Sequence, residues 1–167
     1  MDENSLEKQI TDYVIQYKEN HYRLAFSYVK NADDALDIVQ ESICKALKSK
    51  DSLKNANYIK TWFYRIVVNT AINFLRKQKR VGVVDEESLL SLNGGVMDNY
   101  ENIDLQKALD ALPASYRSVV ILRYFEDLKI DEIAEVLNEN VNTVKTRLYK
   151  SLEKLRLQMD DKVEEAL

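Results

Sequence analysis

Two small helical domains joined by a flexible linker, an all-α fold with a helix-turn-helix in the second domain, are predicted by three observations. Apolar residues recur at helical spacing through most of the 167 residues. One Pro and three Gly leave little material for the tight turns that strands require. The helical period fails over one long stretch, Val81 to about Tyr100, where Gly94-Gly95 stands among acidic residues. The expected division is a first domain over 1–80, an acidic linker over 81–103 and a second domain over 104–167. Fully extended, about twenty residues reach roughly 70 Å, about two turns of B-DNA at ~34 Å each. Surface patches on either side would therefore have the reach for two separate sites.

Composition narrows the chemistry. One Cys and one His complete neither a disulfide nor a zinc site within the chain. Cys44 is expected as a small packed helix residue, and His21 as an ordinary surface or packing histidine. No nucleophile–base pair, metal cluster or phosphate loop is legible, so no enzymatic activity, cofactor or small-molecule substrate is expected. No apolar run approaches the ~20 residues that span a bilayer, and MDENSLEKQI is no signal peptide. A cytoplasmic protein without direct membrane insertion is expected. The net charge of −4 is uneven. Residues 1–80 carry 14 basic and 10 acidic side chains, 81–112 one and seven, and 113–167 nine and eleven. Local patches, not the total, decide contact with phosphates.

Leu6 to Val29 reads as one or two helices with Ile10, Tyr13, Val14, Tyr17, Tyr22, Ala25, Phe26 and Val29 inward, packing around Trp62. Asn31 or Asp33 can cap the next helix, whose first-turn acids suit the positive end of the dipole. Leu36, Val39, Ile43, Ala46 and Leu47 form its expected apolar face, leaving Asp34, Asp37, Gln40 and Glu41 outside. A solvated acidic face and a polar rim for a partner protein both fit that pattern. Asp51 to Asn57 forms a polar loop. Tyr58 to Arg80 then carries six basic residues and no acid. Ile59, Trp62, Phe63, Ile66, Thr70 and Phe74 share one side, and Arg65, Asn69, Asn73, Arg76 and Arg80 another. Arginines neutralise phosphates and asparagines can pair with base edges. A solvated basic face is the alternative.

In the second domain Leu105, Ala108, Leu109 and Leu112 mark a short helix. Pro113 suits the first turn of the next, which runs through Tyr116, Val119, Val120 and Leu122 to Phe125 until Glu126-Asp127 breaks it. Ile130–Leu137, a turn at 138–141 and Asn142–Leu157 spell helix, turn, helix. Asn138 tolerates the left-handed conformation such turns need, and Asn142 is a good N-cap. Ile133, Ala134, Leu137, Val141, Val144 and Leu148 have the spacing that closes the hairpin. Asn142 to Leu157 holds five basic residues and one acid. Thr143, Lys145, Thr146, Arg147, Lys150 and Lys154 stay accessible.

Three blocks, DDALDIVQESICKAL, TWFYRIVVNTAINFLRKQKR and LPASYRSVVILRYFEDLKIDEIAEVLNENVNTVKTRLYKSLEKLR, resemble bacterial RNA polymerase sigma factors of the sigma-70 family, extracytoplasmic-function group. The wording YRLAFSYVKNADDALDIVQESI is similar to members that answer cell-envelope stress, including lysozyme, in Gram-positive bacteria. The resemblance implies promoter DNA, core polymerase (its β′ and β subunits) and a membrane-linked anti-sigma factor as partners. It implies core docking through Asp34, Asp37, Gln40 and Glu41. It implies reading and opening of the −10 element by Trp62, Arg65, Asn69, Asn73, Arg76, Lys77 and Arg80, with a flipped base held by the loop Lys50–Asn57. It implies −35 contacts from Asn142, Thr143, Lys145, Thr146, Arg147, Lys150 and Lys154. The linker resembles the segment that threads near the polymerase active site and RNA exit. Where the family often has Gly and an aliphatic residue in the turn, this chain has Asn138-Glu139, and the charged Glu139 is expected to loosen it. The residues alone also fit a duplex-DNA regulator or a helical adaptor, but two unlike DNA-facing patches on one linker favour a promoter-specificity subunit.

Overall fold

The computed structural model describes the backbone over residues 3–81 and 100–166, and side chains over 5–79 and 105–158. Most of the expected linker, 82–99, lies outside the described residues. Those that are described form eight α-helices and no strand, in two compact units.

The first unit contains α1 (Glu3–Gln16), α2 (Lys18–Val29), α3 (Ala32–Lys48) and α4 (Ile59–Val81). Helices α2, α3 and α4 pack against one another, and α1 lies against α3 and α4. Between α2 and α3 the chain turns at Lys30, left-handed at φ 57°, whose N–H closes α2 on the Phe26 carbonyl at 2.8 Å. Asn31 then opens α3 by accepting the Asp34 N–H at 3.0 Å, which satisfies one of the unbonded donors of the first turn.

Three neighbours cover α4, so its buried side is wide. Phe63, Tyr64, Val67, Val68 and Ala71 form its centre, with Ile59 and Thr70 at one margin. Full burial of Phe63 or Val67 contributes about 1.5–3 kcal/mol each. Of the side expected from the sequence, Ile59, Phe63 and Thr70 are buried, and Trp62, Ile66 and Phe74 are half-buried. The corresponding face of α3 is Ala35, Ile38, Val39, Ser42 and Ala46. Small residues dominate it because α3 packs against both α2 and α4. Leu36, expected inside, is 43 % exposed, and Cys44, expected packed, is exposed eight residues on.

His21 is fully buried in a cage of aromatic rings: Phe63 and Tyr64, with centroids at 4.7 and 4.8 Å, and Tyr13 at 5.5 Å. Its Nε2 lies 3.4 Å from the Tyr13 hydroxyl, whereas Nδ1 makes no hydrogen bond of acceptable geometry. Burial lowers its pKa from 6.5 to about 4, and the Tyr17 carbonyl opposes that shift only in part.

The second unit contains α5 (Tyr100–Ala111), α6 (Ala114–Val120), a π turn over Ile121–Phe125, α7 (Ile130–Leu137) and α8 (Val141–Ala166). Helix α5 starts at Tyr100, so the last four residues assigned to the linker are helical. Pro113 precedes α6 as its N-cap and does not enter its first turn. Ala108, Leu109, Leu112, Val120 and Leu155 pack together, with Leu105 and Tyr116 against them. Tyr124 and Phe125, at the end of the largely apolar run, are 56 % and 43 % exposed. In the π turn the Glu126 N–H donates to the Ile121 carbonyl at 3.0 Å. That five-residue step aligns Glu126, which is buried, with Ile121 and turns Phe125 outward.

Helices α7 and α8 form the expected helix-turn-helix, in which Ile133, Val136, Val144 and Leu148 are buried. Val136 was missed by the sequence pattern, and Leu137 and Val141 are half-buried. Asn138 is left-handed at φ 54°, and the Glu139 N–H reaches the Ala134 carbonyl at 3.0 Å, a Schellman closure of α7. Glu139 does not loosen this turn: its Oε1 lies 3.3 Å from Arg147 Nη2, tying the turn to α8. The residue that caps α8 is Asn140, whose Oδ1 accepts the Thr143 N–H at 2.8 Å. Asn142, expected in that role, stands inside the first turn.

Two measurements follow from these environments. Above pH 6.5 His21 is neutral in folded and unfolded chains alike and adds no pH dependence. Below 6.5 the unfolded chain gains a proton that the folded chain refuses until about pH 4. Stability should therefore fall across that window, by up to about 3 kcal/mol, and level off below it. Urea unfolding of His21→Phe should lose this part of the pH profile, whereas an unchanged profile would assign the acid lability to other groups. Asn140→Ala should remove about 1 kcal/mol from the second unit, lowering its thermal midpoint by roughly 4–8 °C. Asn142→Ala serves as the control and should shift it little.

Candidate nucleic-acid interface

On α4 the side left uncovered by α1, α2 and α3 is the polar one. Arg65, Asn69, Asn73, Arg76 and Lys77 are all exposed, at spacings that keep the first four on one side of the helix. An unpaired guanidinium is expensive to bury, so the arginines lie on a side of α4 that its neighbours leave open. Trp62 sits three residues before Arg65 at the border of this arc, half-buried. Its indole Nε1 donates to Ser52 Oγ at 3.1 Å. The ring therefore supports the 49–58 loop while leaving part of its surface beside Arg65. Arg80 has a helical backbone, but its side chain lies outside the described residues.

The loop itself is ordered by short-range bonds. It contains two 3₁₀ turns, Lys50–Ser52 and Ala56–Tyr58, with Leu53 buried between them. Asn55 Oδ1 accepts the Asn57 N–H at 3.0 Å, and Lys50 Nζ meets Glu7 Oε2 of α1 at 3.3 Å. Tyr58, one turn before Trp62 and 57 % exposed, presents a second aromatic face at the same end of α4. The sequence reading passed over Tyr58. Its spacing of four from Trp62 was the signal available.

The acidic residues of α3 divide. Asp37, Gln40 and Glu41 are exposed, and the exposed Leu36 lies one turn before Gln40 at the edge of this polar face. Glu41 Oε1 pairs with Lys45 Nζ at 3.4 Å. Asp34 stands apart. It is half-buried, and burial, then the neighbouring Asp37 carboxylate, raise its pKa while a hydrogen bond from Gln78 of α4 opposes them. Its carboxylate joins α3 to the far end of α4.

On α8, Asn142, Thr146 and Lys150 are exposed in one row; in the next, Lys154 is exposed and Thr143 and Arg147 are half-buried. Lys145 is exposed as well, but at 100° per residue it lies off both rows. Two members are partly engaged within the unit. Arg147 is held by Glu139, and Lys154 Nζ lies 5.1 Å over the Tyr116 ring, a cation–π contact that holds its ammonium toward α6. Thr146 Oγ1 donates to the Asn142 carbonyl at 2.9 Å, leaving its methyl group outward. Among the described residues no cluster of three or more His, Cys, Asp or Glu is placed to hold a metal ion. None of the described helices is long and apolar enough to cross a membrane.

Comparison with known proteins follows the same division. Residues 14–81 match the family described as Sigma-70 region 2, and residues 102–155 match Sigma-70, region 4. The RNA polymerase sigma factor SigV of Bacillus subtilis (strain 168) is 57 % identical over 146 residues, 87 % of this chain and 88 % of that protein. The ECF RNA polymerase sigma factor SigW of the same strain is 34 % identical over 172 residues, 90 % of this chain and 88 % of that one. Among solved structures, the sigma factor RpoE of Bartonella quintana, bound to the anti-sigma factor NepR, superposes with a TM-score of 0.73. The two share 21 % identity over 92 % of this chain and 98 % of that one. CnrH, in complex with the cytosolic domain of CnrY, gives 0.68 at 20 % identity, covering 91 % and 88 %. These structures share the fold; the sequence relatives carry the kinship. The chain belongs to the sigma-70 family of RNA polymerase sigma factors, in its extracytoplasmic-function group.

Proposed function

We propose that this chain joins core RNA polymerase and directs it to promoters, with residues 1–80 serving the −10 element, 104–167 the −35 element, and 81–103 connecting them. The supporting observation is that a single chain exposes two unlike cation-and-amide faces, Arg65–Asn69–Asn73–Arg76 and Asn142–Thr146–Lys150, together with a separate acidic face on α3. Charge steers a basic face to phosphates, and amides discriminate among base edges. Bases of a melted strand offer those edges and their π faces, for which the exposed Tyr58 and the half-buried Trp62 are the aromatic candidates. Asp37, Gln40 and Glu41, with the exposed Leu36 beside them, offer polar groups next to an apolar one, as a docking patch does. We assign them to the β′ subunit, with Asp34 acting indirectly through its bond to Gln78, and contacts to β elsewhere. In the second unit Asn142, Thr143, Thr146 and Arg147 approach base edges from the start of α8, while Lys145, Lys150 and Lys154 serve phosphates.

Control belongs to the same proposal. One solved neighbour is a sigma factor in complex with an anti-sigma factor, and another, CnrH, is in complex with the cytosolic domain of CnrY. An inhibitor of this kind, membrane-linked, would keep the chain inactive and tethered in the cytoplasm until an envelope-stress signal arrives. That signal is inferred from the resemblance of 22–43 to envelope-stress members.

Purified core polymerase with this chain should give discrete run-off transcripts from cognate promoters where core alone gives none; failure to bind core tightly would end the reading. Asp37→Lys with Glu41→Lys should weaken core association, because facing charges govern encounter and register, and a pull-down titration measures it. Asn69→Ala with Asn73→Ala should leave core affinity intact and reduce opening about tenfold or more, at about 1–3 kcal/mol per base contact. Permanganate reactivity of −10 thymines reports that step, and undiminished reactivity would remove both amides from the assignment.

A further inference from the structure

Helices α3 and α4 run antiparallel. The pairings Asp34 with Gln78 and Lys45 with Thr70 set their register. Between these two ties their outward edges separate into an open cleft of about 230 Å³, lined by Glu41 and Lys45 from α3 and by Thr70, Asn73, Phe74, Arg76 and Lys77 from α4. Three cations and one carboxylate line it, and the carboxylate is already paired with one of the cations. Asn73 and Arg76 belong at once to this cleft and to the exposed polar stripe of α4, so the cleft opens onto the face assigned to promoter DNA.

Lys45 is the unexpected member. Its Nζ donates to Thr70 Oγ1 at 3.2 Å, and the Thr70 hydroxyl is oriented by donating in turn to the Ile66 carbonyl at 2.7 Å. With Glu41 at 3.4 Å, two of the three ammonium protons are engaged. The third is available to a group in the cleft. A lysine set by two contacts over a basic, amide-bearing recess matches one ligand chemistry above others, a tetrahedral oxyanion, for which Arg76 and Lys77 supply the remaining charge.

We propose that this cleft seats one phosphate of the promoter backbone and that Lys45 is among its ligands, although it stands on the helix whose acidic face is assigned to polymerase. The inference rests on the reading of α4 as the promoter-facing helix. It gives α3 a second role, with Asp37 and Gln40 turned to the polymerase and Lys45 to the nucleic acid.

The test uses holoenzyme assembled from core polymerase and the full chain, binding a cognate promoter fragment over a range of salt concentrations. Core affinity is measured separately. Lys45→Gln should reduce the magnitude of the log K against log salt slope by about 0.9 for a duplex phosphate or about 0.7 for a single-stranded one, with core affinity unchanged. Lys45→Arg, which keeps the charge, should restore the slope. Addition of inorganic phosphate at constant ionic strength should compete with promoter binding for the parent holoenzyme and less for Lys45→Gln. An unchanged slope in Lys45→Gln overturns the proposal, and so does a loss of core affinity, which would make Lys45 a docking residue. If the parent holoenzyme shows no promoter-specific binding, the promoter reading of α4 fails first and takes this inference with it. Circular dichroism of Lys45→Gln should match the parent, so that a slope change is not read from a misfolded chain.

Discussion

A helix covered on three sides has only one side left to offer. That constraint on α4 organises the first unit. Phe63, Tyr64, Val67, Val68 and Ala71 occupy an arc closed by α1, α2 and α3, and a partial rotation would drive Arg65 or Asn69 into it. Bringing an unpaired guanidinium or amide into a close-packed interior is far more costly than any repacking would recover. The register of the polar stripe is therefore set by the core behind it, and binding side chains are carried on a rigid element without needing a rigid loop.

The aromatic cage around His21 belongs to the same packing. His21 fills space between Tyr13, Phe63 and Tyr64 as a neutral ring, so the centre of the unit includes a titratable group that must stay unprotonated. In the second unit the corresponding work falls to backbone closure. Asn138, the Glu139 N–H and Asn140 end one helix and begin the next within three residues, and the Glu139–Arg147 pair spans the turn. A half-exposed ion pair of this kind contributes little to stability. Its consequence is positional, since Glu139 directs the Arg147 guanidinium toward the turn.

Charge separates the roles of surfaces that lie close together. Helix α3 turns Asp37 and Gln40 outward and carries the Glu41–Lys45 pair to its border with α4, where Arg76 and Lys77 line the same cleft. A chain of net charge −4 thereby keeps local basic patches, and local fields decide where a polyanion binds.

Much of this was legible in the order of residues. The all-α class, the boundaries of α7, the left-handed Asn138 and the Arg65–Asn69–Asn73–Arg76 stripe follow from periodicity, turn chemistry and the cost of burying charge, all of which are local. The three blocks of sigma-factor resemblance were also present in the sequence itself. What the tertiary structure decided is which apolar residues are left over and which polar ones are already engaged. Leu36 and Trp62 have the spacing of core residues, yet they lie partly outside, because period marks a side as apolar without saying how many neighbours cover it. Phe125 faces out because a π turn adds a residue that no periodic pattern anticipates. Asp34, Lys45, Arg147 and Lys154 look alike as exposed charges in the sequence. Only the fold shows that each is already directed by a partner, Gln78, Thr70, Glu139 or Tyr116, because such a contact depends on distances between residues that the chain brings together only when it folds.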